Sequence, residues 1–281
     1  MRADVVGLLR CPVCRQPLAL DARAVRCAEG HSFDVARQGY LNLLVDAGGR
    51  RQSAKTADTA AMVEARSAFL AAGHFDPLAD AVSDAAGAGE GPVVEIGAGT
   101  AFYLAKVLTG RPASIGVAVD ISVPASRRAA RAHPRAGAVV ADAWGRLPLA
   151  DGCAEAVLVV FAPRGAAELA RLLPPGGRLV VATPAPDHLR ELVGPLGLLD
   201  IEPGKRERLL TTLAPWFELS AAQQVRTRLQ LGRSDVLHLA SMGPSAFHTD
   251  RSELGSRVDE LVLPEDVTLS VVVSAFRRRG G

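Results

Sequence analysis

The chain has 281 residues, of which 48 % are apolar and 22 % are charged, and its formal net charge is +2. This is the composition of an ordinary globular protein, and the length suits one large domain with a small one. No apolar run approaches the roughly 18 residues of a membrane helix, and no signal-peptide core follows the first residues, so we expect a cytoplasmic protein.

Four candidate metal ligands open the chain. Cys11, Cys14, Cys27 and His31 follow the spacing C-x2-C-x12-C-x3-H, which can close a tetrahedral zinc site of three thiolates and one imidazole. A domain this small buries too little apolar surface to fold unaided, so bound metal would supply part of the missing free energy. The remaining cysteine, Cys153, is expected to be an unreactive loop thiol.

Positive charge is concentrated in the same region. Residues 1–51 contain eight arginines and five acidic residues, a balance of +3, so the rest of the chain sums to −1. A polyanion would therefore be attracted first to the small domain, although a solvated arginine face is an equal alternative. The arginines that could hold nucleic acid there are Arg10, Arg15, Arg23, Arg26 and Arg37.

The chain after this region is expected to form a second domain. We predict a zinc-binding domain over residues 1–45, a polar, glycine-rich linker over 46–60 and the larger domain over 61–281. Asp58 could cap a helix through Met62 and Leu70.

Strands and helices then alternate. The predicted strands are 93–96, 114–119, 138–141, 156–161 and 178–182, and the predicted helices are 77–86, 100–108, 123–132 and 166–173. This βαβ alternation predicts an α/β fold with a parallel sheet. The β-like stretches 217–231 and 267–276 predict a final pair of strands at the sheet edge, one of them antiparallel.

A glycine-rich turn follows the first strand of this series. Gly97 and Gly99 allow backbone N–H groups to approach a ligand at a helix N-terminus. A dinucleotide fold would place glycine or alanine where this chain has Phe102. An acid two residues before the first glycine, as Glu95 is, is instead typical of folds that bind S-adenosylmethionine, whose ammonium and sulfonium groups are cationic.

Two more acids follow the next strands. Asp120 ends the second strand, where a carboxylate can accept both ribose hydroxyls, and Asp142 follows the third, where it can reach the adenine amine. An acid at a strand end is more often structural. Three such acids at consecutive strands, however, lie at the carboxyl edge where open α/β sheets bind ligands, so the sequence predicts a methyl-donor site.

In chain order, these motifs resemble those of the bacterial 23S rRNA (guanine-N1)-methyltransferases, which include macrolide-resistance enzymes of actinomycetes. The resemblance extends from about residue 8 to residue 195, and the cysteine pattern running into GY-x-NLL is its most specific part. The matching stretches are CPVC at 11–14, GYLNLL at 39–44, MVEAR at 62–66, FLAAGHF at 69–75, EIGAG at 95–99, FAP at 161–163, PGG at 175–177 and ATPAPDHL at 182–189.

The resemblance implies a Rossmann-like class I methyltransferase domain that uses S-adenosylmethionine, with a small N-terminal zinc-binding domain. The cysteine and histidine cluster would hold Zn²⁺. Gly99 and Thr100 would touch the methionine part of the donor, and Phe75 and His188 would contact it from elsewhere. Three positions depart from the family pattern: Phe75 where relatives can carry tyrosine, Ala101 in place of a third glycine, and Gly243 within a looser SMGP match at 241–244.

The function implied is methylation of N1 of a guanine in a domain II hairpin of 23S rRNA, at nucleotide 748 rather than 745, with resistance to macrolides such as tylosin. The zinc domain would grip the hairpin, the Phe161-Ala162-Pro163 turn would position the target base, and relatives suggest a homodimer. No residue identifies a general base. The alternatives are a small-molecule methyltransferase with a structural zinc cap and an inactive, zinc-bearing nucleic-acid-binding regulator.

Several single residues have structural interpretations at this stage. His74 is expected to pack or cap a helix. Trp144 and Trp216 are expected in the core rather than as base-stacking platforms, with the wall of the adenine pocket as a further alternative for Trp144. The run Arg277–Arg279 is expected to be a solvated tail, with contact to RNA as the minor alternative.

Overall fold

The computed structural model describes residues 1–45, 57–162, 165–202, 204–243, 251–263 and 265–280. Residues 46–56 of the predicted linker, together with Pro163 and Pro244, lie outside this part of the chain. The strands described are β1 Ala19–Asp21, β2 Ala24–Arg26, β3 Ser32–Asp34, β4 Leu41–Asn42, β5 Val93–Ile96, β6 Gly116–Asp120, β7 Ala136–Val140, β8 Ala156–Val160, β9 Arg178–Pro184, β10 Phe217–Leu231 and β11 Glu265–Arg278.

Helices separate most of these strands. They are α1 Ala3–Gly7, α2 Ala60–Ala71, α3 Asp76–Ala86, α4 Phe102–Gly110, α5 Val123–Ala129, α6 Ala166–Leu172, α7 Arg190–Leu196, α8 Lys205–Leu213, α9 Arg233–Ser241 and α10 Arg251–Asp259. Each predicted helix is present, with bounds shifted by a few residues. None of the described helices combines the length and apolarity that a transmembrane span requires.

Among the described residues, one sheet has eight strands in the order β10-β11-β9-β8-β5-β6-β7-β4. Strands β4 to β9 pair in parallel, whereas β11 runs antiparallel to both β9 and β10. The α/β class and the closing strand pair are therefore confirmed. A sheet of this kind places the ends of β5, β6 and β7 side by side.

The prediction of a free tail at Arg277–Arg279 is wrong, although the side chains of Arg277 and Arg279 are exposed as expected. Arg277 and Arg278 belong to β11, and Arg277 pairs with Glu218 and Arg178 on the two neighbouring strands. The guanidinium of Arg278 donates to the Leu173 carbonyl at 2.5 Å. Arg277 and Arg278 are therefore fixed to the sheet, because the pairing of β11 with its neighbouring strands continues past Phe276, the last apolar residue of the strand.

The cap of α2 also differs from expectation. Thr59, not Asp58, is the N-cap residue, and its Oγ1 accepts the backbone N–H of Met62 at 3.3 Å. Asp58 instead forms an ion pair with Arg66, which lies within the same helix. Both residue types favour the cap position, so the ion pair decides between them.

The N-terminal region packs directly on one face of the sheet. β4 adds to the sheet beside β7, with Leu41 opposite Val139, and Leu9 forms a bridge to Leu149. These residues belong to a single buried apolar cluster that also contains Cys11. Helices α2, α3 and α4 pack in a second cluster on the other face.

Close approach of α1 requires a glycine in β7. A Cβ atom on Gly137 would lie 2.6 Å from Cγ1 of Val5 and 3.0 Å from the sulfur of Met1. The first distance is shorter than real Cβ contacts allow and the second is unusually tight, so α1 or its side chains would have to shift away from the sheet. Gly137 thus permits the N-terminal region to share the core of the larger fold.

Candidate functional site

The four predicted metal ligands lie together in the structure. Ligand atoms of Cys11, Cys14, Cys27 and His31 are all within 4.8 Å of one another. The Sγ atoms of Cys14 and Cys27 are 3.6 Å apart, and Sγ of Cys27 is 3.3 Å from Nδ1 of His31. A tetrahedral zinc ion with Zn–S bonds of about 2.3 Å separates its ligand atoms by about 3.8 Å, so this cluster fits Zn²⁺.

Two tight turns present these ligands. In the first, the carbonyl of Cys11 accepts the backbone N–H of Arg15, whose φ of +66° is in the left-handed region. In the second, the carbonyl of Cys27 accepts the N–H of Gly30 at 3.1 Å, and Cys27 donates its own N–H to the His31 carbonyl. Each turn folds its pair of ligands to the same side, which is what a closed metal site needs.

The five N-terminal arginines divide into two groups. Arg10 donates to the Leu9 carbonyl and Arg15 donates to the Leu147 carbonyl, so both hold the N-terminal region together. Arg23, Arg26 and Arg37 are exposed. The expectation that all five face a polyanion is thus too broad. Arg23, Arg26 and Arg37 are exposed to one, although Arg26 also forms an ion pair with the exposed Asp21 at 3.4 Å.

A cavity of about 740 Å³ lies at the carboxyl ends of β5, β6 and β7. All eight residues predicted for the donor site line it, and they come from the end of β5 and the turn after it, from the end of β6, from the residues after β7, and from two other segments of the chain. They are Phe75, Glu95, Gly97, Gly99, Thr100, Asp120, Asp142 and His188.

Glu95 is the most enclosed acid of this cavity. Its side chain is 1 % exposed, and its Oε2 accepts the backbone N–H of Leu104, in the first turn of α4, at 3.1 Å. Burial raises the pKa of Glu95 to about 8, an effect that the Leu104 hydrogen bond opposes and the nearby Asp120 carboxylate reinforces. A cation in the cavity would favour the ionised carboxylate and lower that pKa.

Asp120 connects two adjacent turns. Its Oδ2 accepts the N–H of Gly99 at 2.7 Å, and its Oδ1 accepts the N–H of Ser122 at 2.8 Å. Burial raises the pKa of Asp120, and these two backbone hydrogen bonds oppose the rise. Each carboxylate oxygen still has a further lone pair that can accept a hydroxyl.

Asp142 has one oxygen without a partner among the described residues. Its Oδ1 accepts the N–H of Trp144 at 2.9 Å, whereas its Oδ2 is buried and accepts no hydrogen bond. A buried, unsatisfied carboxylate oxygen is costly. An amine donor in the cavity would satisfy it, and the adenine of a nucleoside carries such a donor.

The glycine turn after β5 is held in conformations that favour glycine. Gly97 has a φ of +64° and Gly99 a φ of +53°. Ala101, which departs from the family pattern, has a φ of +59° and is fully buried. A residue with a Cβ is strained in this region, so Ala101 adopts at some cost the conformation that glycine would adopt freely.

His188 and Phe75 face each other across the cavity. Their ring centroids are 6.4 Å apart. Nδ1 of His188 accepts the N–H of Ser270 at 3.2 Å, so the neutral ring carries its proton on Nε2. Burial lowers the pKa of His188 to about 4, which keeps the ring neutral at pH 7. Phe75 packs edge-on against Phe69.

Arg66 is a cavity residue to which the sequence patterns assigned no role. Its guanidinium lines the cavity, where it pairs with Asp58 and donates to the Met242 carbonyl at 2.7 Å. A Cβ on Gly99 would lie 3.1 Å from Nη1 of Arg66, so the guanidinium lies directly against the glycine turn. The sequence feature that could have indicated a role for Arg66 was its position in the MVEAR stretch, which matches the family.

Four other residues were given structural interpretations from the sequence, and of these only Trp144 lines the donor cavity. His74 packs on the Phe69 ring at 5.1 Å and lies near Asp235, outside the cavity lining, in keeping with a packing role. Burial raises the pKa of the Cys153 thiol to about 11, which favours the unreactive thiol form. The expectation that both tryptophans lie in the core is wrong, because Trp144 and Trp216 are 67 % and 43 % exposed. Trp144 lines the donor cavity together with Asp142, so its alternative place in the wall of the adenine pocket stays a prediction.

Comparisons with known proteins agree with both parts of this structure. A family model described as RlmA, N-terminal, a zinc ribbon, matches residues 9–45, and one described as Methyltransferase domain matches residues 94–181. The zinc ribbon with its Cys₃His cluster and the methyltransferase fold account for Zn²⁺ and S-adenosylmethionine as the cofactors of this chain.

Two curated relatives match over nearly the full length. The 23S rRNA (guanine(748)-N(1))-methyltransferase of Streptomyces fradiae is 49 % identical over 282 residues, which is 99 % of both chains. A Micromonospora griseorubida protein named for 23S rRNA (guanine-N(1)-)-methyltransferase activity is also 49 % identical, again over 99 % of both chains. The solved structure of YcgJ from Bacillus subtilis has a TM-score of 0.50 at 14 % identity, covers 74 % of this chain and all of its own, and supports the fold alone.

Proposed function

We propose a function from one premise: this chain belongs to the family of 23S rRNA (guanine-N1)-methyltransferases. It transfers a methyl group from S-adenosylmethionine to N1 of a guanine in 23S rRNA. The target is nucleotide 748, the position in the name of the Streptomyces fradiae relative. The observation that carries the proposal is that 49 % identity extends over 99 % of both chains, through the zinc ribbon and the cavity alike.

The nucleoside end of the cavity suits the donor. S-adenosylmethionine, when bound, supplies a methyl group activated by its sulfonium. Asp120 offers its remaining lone pairs to the ribose hydroxyls, and the unsatisfied Oδ2 of Asp142 accepts from the adenine amine. Backbone hydrogen bonds fix the orientation of both carboxylates before any ligand arrives, which lowers the entropy lost on binding.

The opposite end suits the amino-acid part. Arg66 provides a cation for the carboxylate, and Nε2–H of His188 provides a neutral hydrogen-bond donor. Glu95 provides the negative charge that balances the ammonium and the sulfonium. Gly99 and Thr100 lie between them in the turn, where the absence of a side chain on Gly99 lets the ligand approach the backbone.

Catalysis in this site depends mainly on position. Methyl transfer requires the attacking nitrogen, the methyl carbon and the sulfur in line, and holding them so lowers the barrier by several kcal/mol. Guanine N1 carries a proton that must pass to solvent as the new bond to carbon forms, because no residue is assigned as a general base. The residue after β8, Phe161, lines the cavity at the position proposed to orient the target base.

The zinc ribbon over residues 1–45 provides the RNA grip, joined by the linker over 46–60 to the catalytic domain over 61–281. The exposed Arg23, Arg26 and Arg37 contact phosphates, since the metal cluster itself, with three thiolates, carries no positive charge of its own. A homodimer would place two such ribbons beside one RNA, and sedimentation analysis of the purified protein tests this part of the proposal.

Resistance to tylosin-type macrolides completes the proposal. A methyl on N1 changes the Watson–Crick edge of the target guanine, and a ribosomal substrate implies work in the cytoplasm. Expression in a tylosin-sensitive host should raise the inhibitory concentration of tylosin. A strain that expresses Asp120→Ala should remain sensitive.

The direct test uses labelled donor with three acceptors: 23S rRNA from a strain without this methylation, total RNA depleted of 23S rRNA, and tylosin. We expect label only in 23S rRNA. Primer extension should stop one nucleotide before 748, because N1-methylguanine cannot form its Watson–Crick pair. Label in tylosin would support the small-molecule alternative, and absence of label from all three acceptors would support the inactive regulator. A primer-extension stop caused by nucleotide 745 would correct the methylated position.

A further inference from the structure

A second cavity adjoins the donor cavity. It measures about 530 Å³ and contains none of the residues predicted to hold the donor. The two cavities share a wall, which we call the junction, formed by Trp144, Phe161, Ala162, Pro184, Glu202 and Lys205. A group that enters through the second cavity would therefore meet the donor cavity at the junction.

Trp144 places a large indole at the junction. Its backbone N–H is held by Oδ1 of Asp142, yet its side chain is 67 % exposed. Tryptophan is an apolar residue that is normally well covered. An exposed indole on a backbone that is held in place can serve as a platform on which a nucleobase stacks, because every nucleobase has a flat aromatic face.

Phe161 contributes a second aromatic ring to the junction, and its backbone conformation is strained. Its φ of +53° is in the left-handed region, which costs a non-glycine residue about 1 kcal/mol or more. Its ring stacks on His188 at 5.8 Å with an interplanar angle of 23°, and the side chain is 43 % exposed. The strained turn thus directs the ring into the junction, supported from behind by a neutral imidazole.

The rim of the second cavity is basic. Lys205 and Arg208 line it from the first turn of α8, and Arg208 forms an ion pair with Glu202 at 2.8 Å. Positive side chains beside an aromatic slot match the charge pattern of a nucleotide, whose flat base is followed by a phosphate. A small molecule without negative charge would gain no electrostatic attraction from such a rim.

We propose that the target guanine, flipped out of its hairpin, stacks at the junction against Trp144 and Phe161, while its phosphate lies against Lys205 and Arg208. This inference rests on the proposed function and specifies where the RNA base binds. A base inside a hairpin must leave its stack to be reached, which is unfavourable by itself. Stacking at the junction offsets that loss and leaves N1 facing the donor cavity.

Fluorescence can test the contact directly, since the chain contains only two tryptophans. The Trp216→Phe variant has Trp144 as its sole tryptophan. With the variant saturated with S-adenosylhomocysteine, a 23S rRNA hairpin carrying the target guanine should quench the emission. The same hairpin with an abasic site at that nucleotide should bind with much less quenching. Equal quenching by both hairpins would overturn the proposal.

Adenine of the donor is the rival occupant of the Trp144 face. If the indole covered the adenine, S-adenosylhomocysteine alone would produce the main change in emission, and Trp144→Ala would weaken binding of S-adenosylmethionine in calorimetry. We expect neither: the affinity should stay within about twofold of wild type. A larger loss would assign Trp144 to the donor site and overturn the inference.

Kinetics supply the second test. Trp144→Ala should lower kcat/KM for the hairpin by about 5- to 150-fold, while Trp144→Phe keeps most of it. Trp216→Ala is the matched control, because Trp216 is also exposed but lines neither cavity, and it should retain wild-type activity. Thermal melting establishes that each variant folds.

The two failures are distinguishable. Inactivity of the wild-type protein on 23S rRNA would refute the proposed function itself. A wild-type enzyme that methylates the hairpin, beside a folded Trp144→Ala variant of equal kcat/KM, would refute only the placement of the base. Lys205→Ala should raise KM with a weaker salt dependence, and an unchanged KM would remove the phosphate contact from the proposal.

Discussion

The backbone N–H of Gly99 donates to Oδ2 of Asp120 at 2.7 Å. This bond ties the turn after β5 to the end of β6, so the two parts of the donor site cannot shift independently. The second oxygen of the same carboxylate is held by Ser122. Ligand contacts and the shape of the glycine turn therefore depend on one side chain.

Asp120→Asn should weaken the binding of S-adenosylmethionine by about 10- to 100-fold, because hydrogen bonds to a charged acceptor contribute about 1.5–3 kcal/mol. The carbonyl oxygen of the new amide still accepts, but its NH2 group cannot, so one of the two backbone N–H groups would be left unpaired. Isothermal titration calorimetry measures the loss. Asp80→Asn, an exposed change on α3 outside the cavity, is the control. Unaltered affinity of Asp120→Asn would refute the ribose assignment.

Binding of S-adenosylmethionine at pH 7 should release up to one proton. The pKa of Glu95 is about 8 in the free protein, so the group is largely protonated, and the cationic ligand favours its carboxylate form. Affinity should therefore rise as the pH increases towards 8. Calorimetry in phosphate and in Tris, which differ in ionisation enthalpy, measures the released proton.

Glu95→Gln provides the control for this effect and for stability. A pKa raised on folding means that the protonated acid favours the folded state, and that contribution is lost as the pH rises from the unfolded value near 4.5 through about 8. The variant should lack both the proton release and this loss of stability. Equal binding enthalpies of the wild type in the two buffers would contradict the assignment.

Removal of the metal should reduce methylation of rRNA and leave the binding of S-adenosylmethionine largely unchanged. Cys14→Ser should lower the zinc content and reduce methylation of 23S rRNA by at least about 100-fold, since three ligands hold Zn²⁺ far more weakly than four. Affinity for S-adenosylmethionine should stay within about threefold. Metal content is measured by atomic absorption, and Cys153→Ser, outside the cluster, is the matched control that should keep its zinc. Full rRNA activity in a zinc-free Cys14→Ser protein would show that the ribbon does not present the RNA.

Ala101→Gly should stabilise the protein by about 0.5–1 kcal/mol. The left-handed backbone at Ala101 costs alanine roughly 1–2 kcal/mol, and part of the gain is offset because glycine is more flexible in the unfolded chain. Urea denaturation measures the difference. Ala105→Gly, within α4, is the contrast and should destabilise by a similar amount. A loss of stability in Ala101→Gly would mean that the methyl packing at this buried position outweighs the strain.

Features determined by local chain geometry were the most predictable from the sequence. Glu95, Asp120 and Asp142 end or follow consecutive parallel strands, and a parallel sheet necessarily brings such positions to one edge. The cysteine and histidine spacing likewise determines a cluster, because each pair lies within one tight turn. Neither inference needs knowledge of distant contacts.

Features set by distant contacts were not predictable in this way. Thr59 and Asp58 are equally suited to cap α2, and the ion pair of Asp58 with Arg66 decides between them. Trp144 has an apolar side chain, which favours burial, yet it lies at the rim of two cavities. The two residues of β4 are too few to show any periodicity, so its place in the sheet depends on β7 alone.

The pairing of β4 with β7 makes the zinc ribbon, which we propose as the RNA grip, an extension of the sheet rather than a tethered module. Backbone hydrogen bonds, and the close fit of Val5 over Gly137, give the metal cluster a fixed distance from the donor cavity. If the ribbon holds the RNA, the distance between the held part of the hairpin and the methylated base is therefore set by the fold. We then expect this distance to decide which of two neighbouring guanines in the hairpin reaches the donor. Insertions or deletions between the cluster and Asn42 should change that choice more readily than substitutions in the cavity.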